Sequence, residues 1–146
     1  MTDRRHVLQM GALAAVALAA APACSEDADE PDAPPPVPDA QQSEEIALIA
    51  AYDAAIATAG PARAAEYQRI RDEHAAHLRA LGWEAPPATT QSPTPPASVR
   101  ALRRAEIGAG RSHAAAAVRE TDQERAQLLA LIAASESQHA SALAAL

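Results

Sequence analysis

The sequence predicts an all-α fold, a four-helix bundle, and three observations predict it. Alanine occurs 42 times in 146 residues; it is the strongest helix former, and its small side chain lets helix backbones approach closely. Four segments carry apolar residues at the spacing of one buried helical face. No stretch alternates Val, Ile, Thr or aromatic residues with polar ones over more than a few positions, which removes the signal for strands.

The chain opens on a leader, residues 1–23. Arg4 and Arg5 precede a weakly hydrophobic run from Val7 to Ala21, about 15 residues where a membrane-spanning helix needs roughly 20. The run ends in Ala21-Pro22-Ala23-Cys24, which resembles a lipobox with Ala21 where Leu is usual. That resemblance implies a bacterial lipoprotein precursor whose Cys24 is diacylated. The mature chain would then be lipid-anchored in the cell envelope, on the extracytoplasmic face of a membrane. The Arg4-Arg5 pair is similar to a twin-arginine signal, although His6 follows it, and implies export of an already folded protein. The other reading of Cys24 is an incidental cysteine behind a plain cleavable signal. It is the only cysteine in the sequence, so an intrachain disulfide is excluded.

Residues 24–42 read as a tether. From Ser25 to Gln42 there are five prolines and one large apolar residue, Val37; such a stretch cannot bury enough surface to offset its ordering entropy. Charge is concentrated here. Residues 25–45 hold eight acids and no Arg, whereas residues 46–146 hold ten acids and ten Arg. A near-neutral folded part lacks the basic face that nucleic acid requires, and an acidic tether gains nothing from anionic headgroups.

Helix one is expected from about Ser43 to Ala59, with Ile46, Ile49, Tyr52 and Ile56 at helical period and Asp39 or Ser43 as cap. Gly60-Pro61 ends it and starts the next helix, because Pro suits a first helical position. Helix two runs to about Leu81, with Tyr67, Ile70, His74, Leu78 and Leu81 on one stripe and Gly82 just past its end. Trp83 to Ala97 is a loop with five prolines. Helix three is expected from about Ser98 to Arg119. Thr121 to Glu124 reads as a capping box that opens helix four. The turn between helices three and four is therefore short, and they form an antiparallel hairpin.

The long loop bears on connectivity. Fifteen residues in polyproline conformation cover roughly 45 Å, more than the ~33 Å of a 22-residue helix. It can therefore carry the chain the length of the bundle between helices two and three, the single long crossover of ferritin-like folds. A loose loop closing a simple up-and-down bundle is the alternative.

Ionisable side chains lie on the faces expected to point inward. They are Glu45 in helix one, His74 and His77 in helix two, Glu106 and His113 in helix three, and Glu136 and His139 in helix four. A buried Glu or His is costly unless it is paired, protonated or metal-bound. Glu136-Ser137-Gln138-His139 is an E-x-x-H, whose spacing puts both side chains on one face for one metal. Gly108-Ala109-Gly110 follows no strand and is read as close helix packing rather than a phosphate loop. No nucleophile elbow is present, and Arg103-Arg104 reads as a solvated face.

Four segments, IALIAAYDAAIA, DEHAAHLRALG, RRAEIGAGRSHAAAA and LLALIAASESQHASAL, resemble those of ferritin-like domains in secreted bacterial lipoproteins. The resemblance covers about residues 44–146 and implies a ferritin-like bundle for residues 43–146. The wider superfamily includes di-iron proteins, with Glu on helices one and three and E-x-x-H on helices two and four. Carried over, that implies Glu45, Glu106, and Glu136 with His139 as ligands. Helix two departs from the pattern, offering His74 and His77 as H-x-x-H, and Asp53 is more central in helix one than Glu45. A single-metal site richer in imidazole, for zinc or copper rather than iron, then fits better. Two readings stay open: a non-catalytic, membrane-anchored module that binds a partner or small ligand, its inner Glu, His and Tyr52 forming a structural network; and a protein that sequesters or oxidises a transition metal.

Overall fold

A computed structural model describes residues 36–84 and 98–146. The leader, Cys24 and most of the tether lie outside the described residues, as does most of the Pro-rich loop. The described residues form four helices and no strand: α1 (Ala40–Ile56), α2 (Pro61–Ala80), α3 (Val99–Arg119) and α4 (Gln123–Ala144). None is long and apolar enough to cross a membrane.

α1 begins three residues earlier than the tether boundary at 42 predicts. Asp39 and Gln42 form a reciprocal capping box: the Gln42 amide donates to Asp39 Oδ1 at 2.8 Å, and the Asp39 amide donates to Gln42 Oε1 at 2.8 Å. Two orphan N–H groups are satisfied at once, which draws residues 40–42 into the helix. The same residues tie into the bundle, since Gln42 Nε2 donates to the Leu81 carbonyl and Asp39 pairs with Arg125. Pro61 starts α2 behind Gly60, and Gly82 ends it at φ 81°, the left-handed conformation expected past a C-cap. Ser98 caps α3. The cap of α4 is Asp122, not Thr121: its carboxylate accepts from the Arg125 amide, while Glu120 accepts from the Thr121 and Asp122 amides.

Packing partners set the helix directions. Glu45, early in α1, meets His74 and His77, late in α2, while Tyr52 packs near Tyr67; α1 and α2 are antiparallel. Leu102 of α3 shares a cluster with Leu143 of α4, and His113 faces Glu136, so that hairpin is antiparallel too. Ile70 with Leu102, and His74 with Glu106, show that α2 and α3 run the same way.

Apolar layers flank a polar centre. Tyr52, Ala55, Tyr67, Ile70, Leu102 and Leu143 pack at one end; Leu81, Leu129 and Ile132 pack at the other. Ile49, Ala75 and Leu78 form a third cluster, with partly buried Ile46 and Trp83 packed against it. Gly110 allows the close α3–α4 approach, since a Cβ there would lie 3.4 Å from the Ala133 carbonyl oxygen. Gly108 does not share that role; a Cβ there meets nothing within 4 Å.

Candidate metal centre

Six ionisable residues, Glu45, His74, Glu106, His113, Glu136 and His139, are at most 1% exposed. The seventh expected residue, His77, has a side chain 16% exposed. All seven converge because each falls on its helix's apolar stripe: on α4, for example, Leu129, Ile132, Glu136, His139 and Leu143 are all buried. Asp53 does not join them, pairing instead with Arg71 at 3.0 Å on the bundle's flank. Arg103 and Arg104 are exposed, as expected.

His74 is the hub. Its Nδ1 lies 2.8 Å from Glu45 Oε2 and its Nε2 3.0 Å from Glu106 Oε1. Tyr52 donates to the same Glu106 oxygen, and its ring stacks on His74 with centroids 5.6 Å apart. His139 Nδ1 faces Glu106 Oε2 at 3.3 Å, and its Nε2 lies 2.6 Å from Glu73 Oε2. Glu73 escapes sequence reasoning: its side chain is 41% exposed and also pairs with Arg69. No local pattern marks it, because the histidine it meets lies 66 residues on. On the other side, Glu136 holds His113 Nδ1 between its two oxygens at 3.0 and 3.1 Å. Glu45 Oε1 lies 3.4 Å from His77 Nδ1 and 4.0 Å from His113 Nε2.

Burial and pairing compete over every proton here. Burial alone would depress the His74 pKa, but the two carboxylates against its nitrogens outweigh that and raise it to about 9. Burial likewise favours the neutral form of Glu106, yet His139, His74 and Tyr52 bring it down to about 2. Glu45 is lowered too, as His74 and nearby His77 more than offset its burial. Glu136 goes the other way: burial raises it, and His113 offsets only part. His113 is also raised, burial being outweighed by Glu136, so that pair holds a proton more tightly than either group alone. Tyr52 is pushed strongly up by burial and by Glu106, which keeps it a donor.

Three groups of ligand atoms lie within 4.8 Å of one another: Glu45, His74 and His77; His74, Glu106 and His139; and Glu45, His113 and Glu136. These buried His and Glu groups have the donor chemistry to hold a metal ion. No family model, curated protein or solved structure matches this chain.

Proposed function

We propose that this chain is a lipid-anchored extracytoplasmic bundle of ferritin-like connectivity that binds a transition metal on its inner Glu and His side chains. The observation that carries the metal is the charge at the centre. Three fully buried carboxylates, Glu45, Glu106 and Glu136, stand among histidines, and among the described residues no Arg is buried with them. Buried carboxylates need cationic partners; protonated imidazole supplies some of that charge, and a divalent ion supplies the rest. The ferritin-like connectivity is supported by the directions of α2 and α3. A crossover between α2 and α3 suits those directions, and thirteen residues in polyproline conformation would cover roughly 40 Å. The anchor rests on the sequence around Cys24.

The second reading, a structural network within a non-catalytic module, is favoured by the His74, Glu106 and His139 group, where each imidazole nitrogen already faces a carboxylate. The deciding experiment is elemental analysis of full-length, untagged protein extracted from membranes, together with thermal melts in chelator and in added zinc, copper or iron. Metal binding stabilises the native state by mass action, so metal on the isolated protein and a melt that rises with it are expected. A metal-free protein whose melt responds to none of the three overturns the proposal.

A further inference from the structure

Among the described residues, four buried side-chain atoms have no hydrogen-bond partner: Glu45 Oε1, His77 Nδ1, His113 Nε2 and Glu136 Oε1. Two of them face each other, Glu45 Oε1 and His77 Nδ1, at 3.4 Å. That is beyond the ~2.9 Å at which nitrogen and oxygen settle into a hydrogen bond, and a fold that buries both atoms unpaired bears a cost. The other oxygen of the same carboxylate, Glu45 Oε2, lies 2.8 Å from His74 Nδ1. Glu45 of α1 therefore turns one oxygen to each of two imidazoles, and those imidazoles lie three residues apart on one face of α2.

Ligand atoms of Glu45, His74 and His77 all lie within 4.8 Å of one another. Two atoms each about 2.0–2.1 Å from one zinc sit roughly 2.8–3.4 Å apart, for angles from a right angle to the tetrahedral one. Both measured separations fall in that interval. The support behind His74 agrees. Its Nε2 faces Glu106 Oε1 at 3.0 Å, and Glu106 is itself held by Tyr52 and by His139 Nδ1. A carboxylate on the far nitrogen is what orients a metal-binding imidazole and makes it more basic, and here it leaves Nδ1 turned to Glu45. Glu45, His113 and Glu136 form a rival group, but one imidazole with two carboxylates is the poorer set for zinc.

On the reading that the bundle binds a transition metal, we infer that a single zinc-class ion is held by the Glu45 carboxylate and by Nδ1 of both His74 and His77. The ion takes the place of the proton between His74 Nδ1 and Glu45 Oε2, and that proton leaves on binding. Two imidazoles and one carboxylate are a zinc-binding set that keeps a fourth position for water. Glu106 is a positioning residue, acting through His74 Nε2. The di-iron pattern has E-x-x-H on helix two and a ligating Glu on helix three; here α2 supplies two imidazoles, and Glu106 of α3 stands behind the ion. His77, whose side chain is 16% exposed, sets the ion at the solvent edge of the cluster.

The test uses full-length protein stripped with chelator and titrated with zinc alone, scored for stoichiometry and for affinity by competition with a chromophoric chelator. Cobalt(II) reports the ligand set through its visible bands. One zinc per chain is expected. An outer partner of a zinc ligand is worth about 10–100-fold in affinity, so Glu106→Gln should weaken binding within that range and leave the cobalt bands in place. His77→Ala removes a ligand at the solvent edge, where the fold tolerates it; binding should fall by about 100-fold or more, with altered bands. Cobalt bands that change with Glu106→Gln as they do with His77→Ala make Glu106 a ligand and overturn the assignment. Glu136→Gln addresses the rival group: if it weakens zinc as much as His77→Ala does, or if two ions bind per chain, this site is overturned while a metal-binding bundle stands. No zinc, copper or iron binding by the parent overturns both.

Discussion

Replacing His74 with Leu in the metal-free protein isolates the hub of the buried network. The change keeps the volume roughly constant and removes the group between Glu45 Oε2 and Glu106 Oε1. With its pKa raised from 6.5 to about 9, His74 gains about 3 kcal/mol from folding at ~1.4 kcal/mol per pH unit. Glu106, buried but lowered to about 2 by His139, His74 and Tyr52, shares only part of its shift with this contact, so it is not added to the His74 figure. Breaking a buried pair by removing one partner costs about 3–5 kcal/mol, because the survivor stays buried and unpaired. Against a total of ~5–15 kcal/mol for a domain, His74→Leu should lose about a fifth of the stability or more at pH 6.

The pH dependence has a definite sign. A raised histidine pKa means the contribution is complete below pH 6.5 and is lost as pH rises through about 9. Glu106 acts at the acid end: its contribution is present above its unfolded value of 4.5 and is lost as pH falls towards 2. Urea unfolding in chelator at intervals from pH 6 to pH 10 should show the parent weakening across the alkaline window and His74→Leu weakening less, with only His113 left to lose its proton. Adding Glu45→Gln and Glu106→Gln to His74→Leu should recover part of the loss, since neutral amides are less costly to strand than carboxylates. A parent that is flat from pH 6.5 to pH 9.5, or a His74→Leu cost under about 1 kcal/mol, would refute the reasoning.

Cys24→Ser should release the protein from the membrane fraction, read by fractionation and by mass of the N-terminal peptide; quantitative retention with membranes would refute the anchor. The paired glycines of α3 test the packing: Gly108→Ala meets nothing within 4 Å and should gain about 0.8–1.0 kcal/mol of helix propensity, a few degrees in Tm. Gly110→Ala places a Cβ 3.4 Å from the Ala133 carbonyl oxygen and 3.6 Å from Glu136 Cβ, at the edge of ordinary van der Waals contact, so it should keep less of that gain. Equal melting temperatures for the two would mean that α3 and α4 are not held so close.

Local features were legible in the sequence because their physics is local. The 3.6-residue period placed His74, Glu106, Glu136 and His139 on apolar stripes, and all are buried. Pro61 and Gly82 marked the ends of α2 through backbone restrictions that need no partner. Where two candidates competed locally, the choice fell to contacts the sequence does not display. Asp39 rather than Ser43 caps α1, held also by Arg125 from 86 residues away. Glu45 rather than Asp53 enters the centre, because Arg71 engages Asp53. Periodicity also gave every inner His and Glu the same standing, as each lies on a stripe. Only the tertiary structure separated them. Which imidazole nitrogen meets which carboxylate oxygen depends on helix rotation and on contacts across α1, α2, α3 and α4. That geometry pairs both nitrogens of His74, recruits the half-exposed Glu73 to His139, and leaves Glu45 Oε1, His77 Nδ1 and His113 Nε2 without partners.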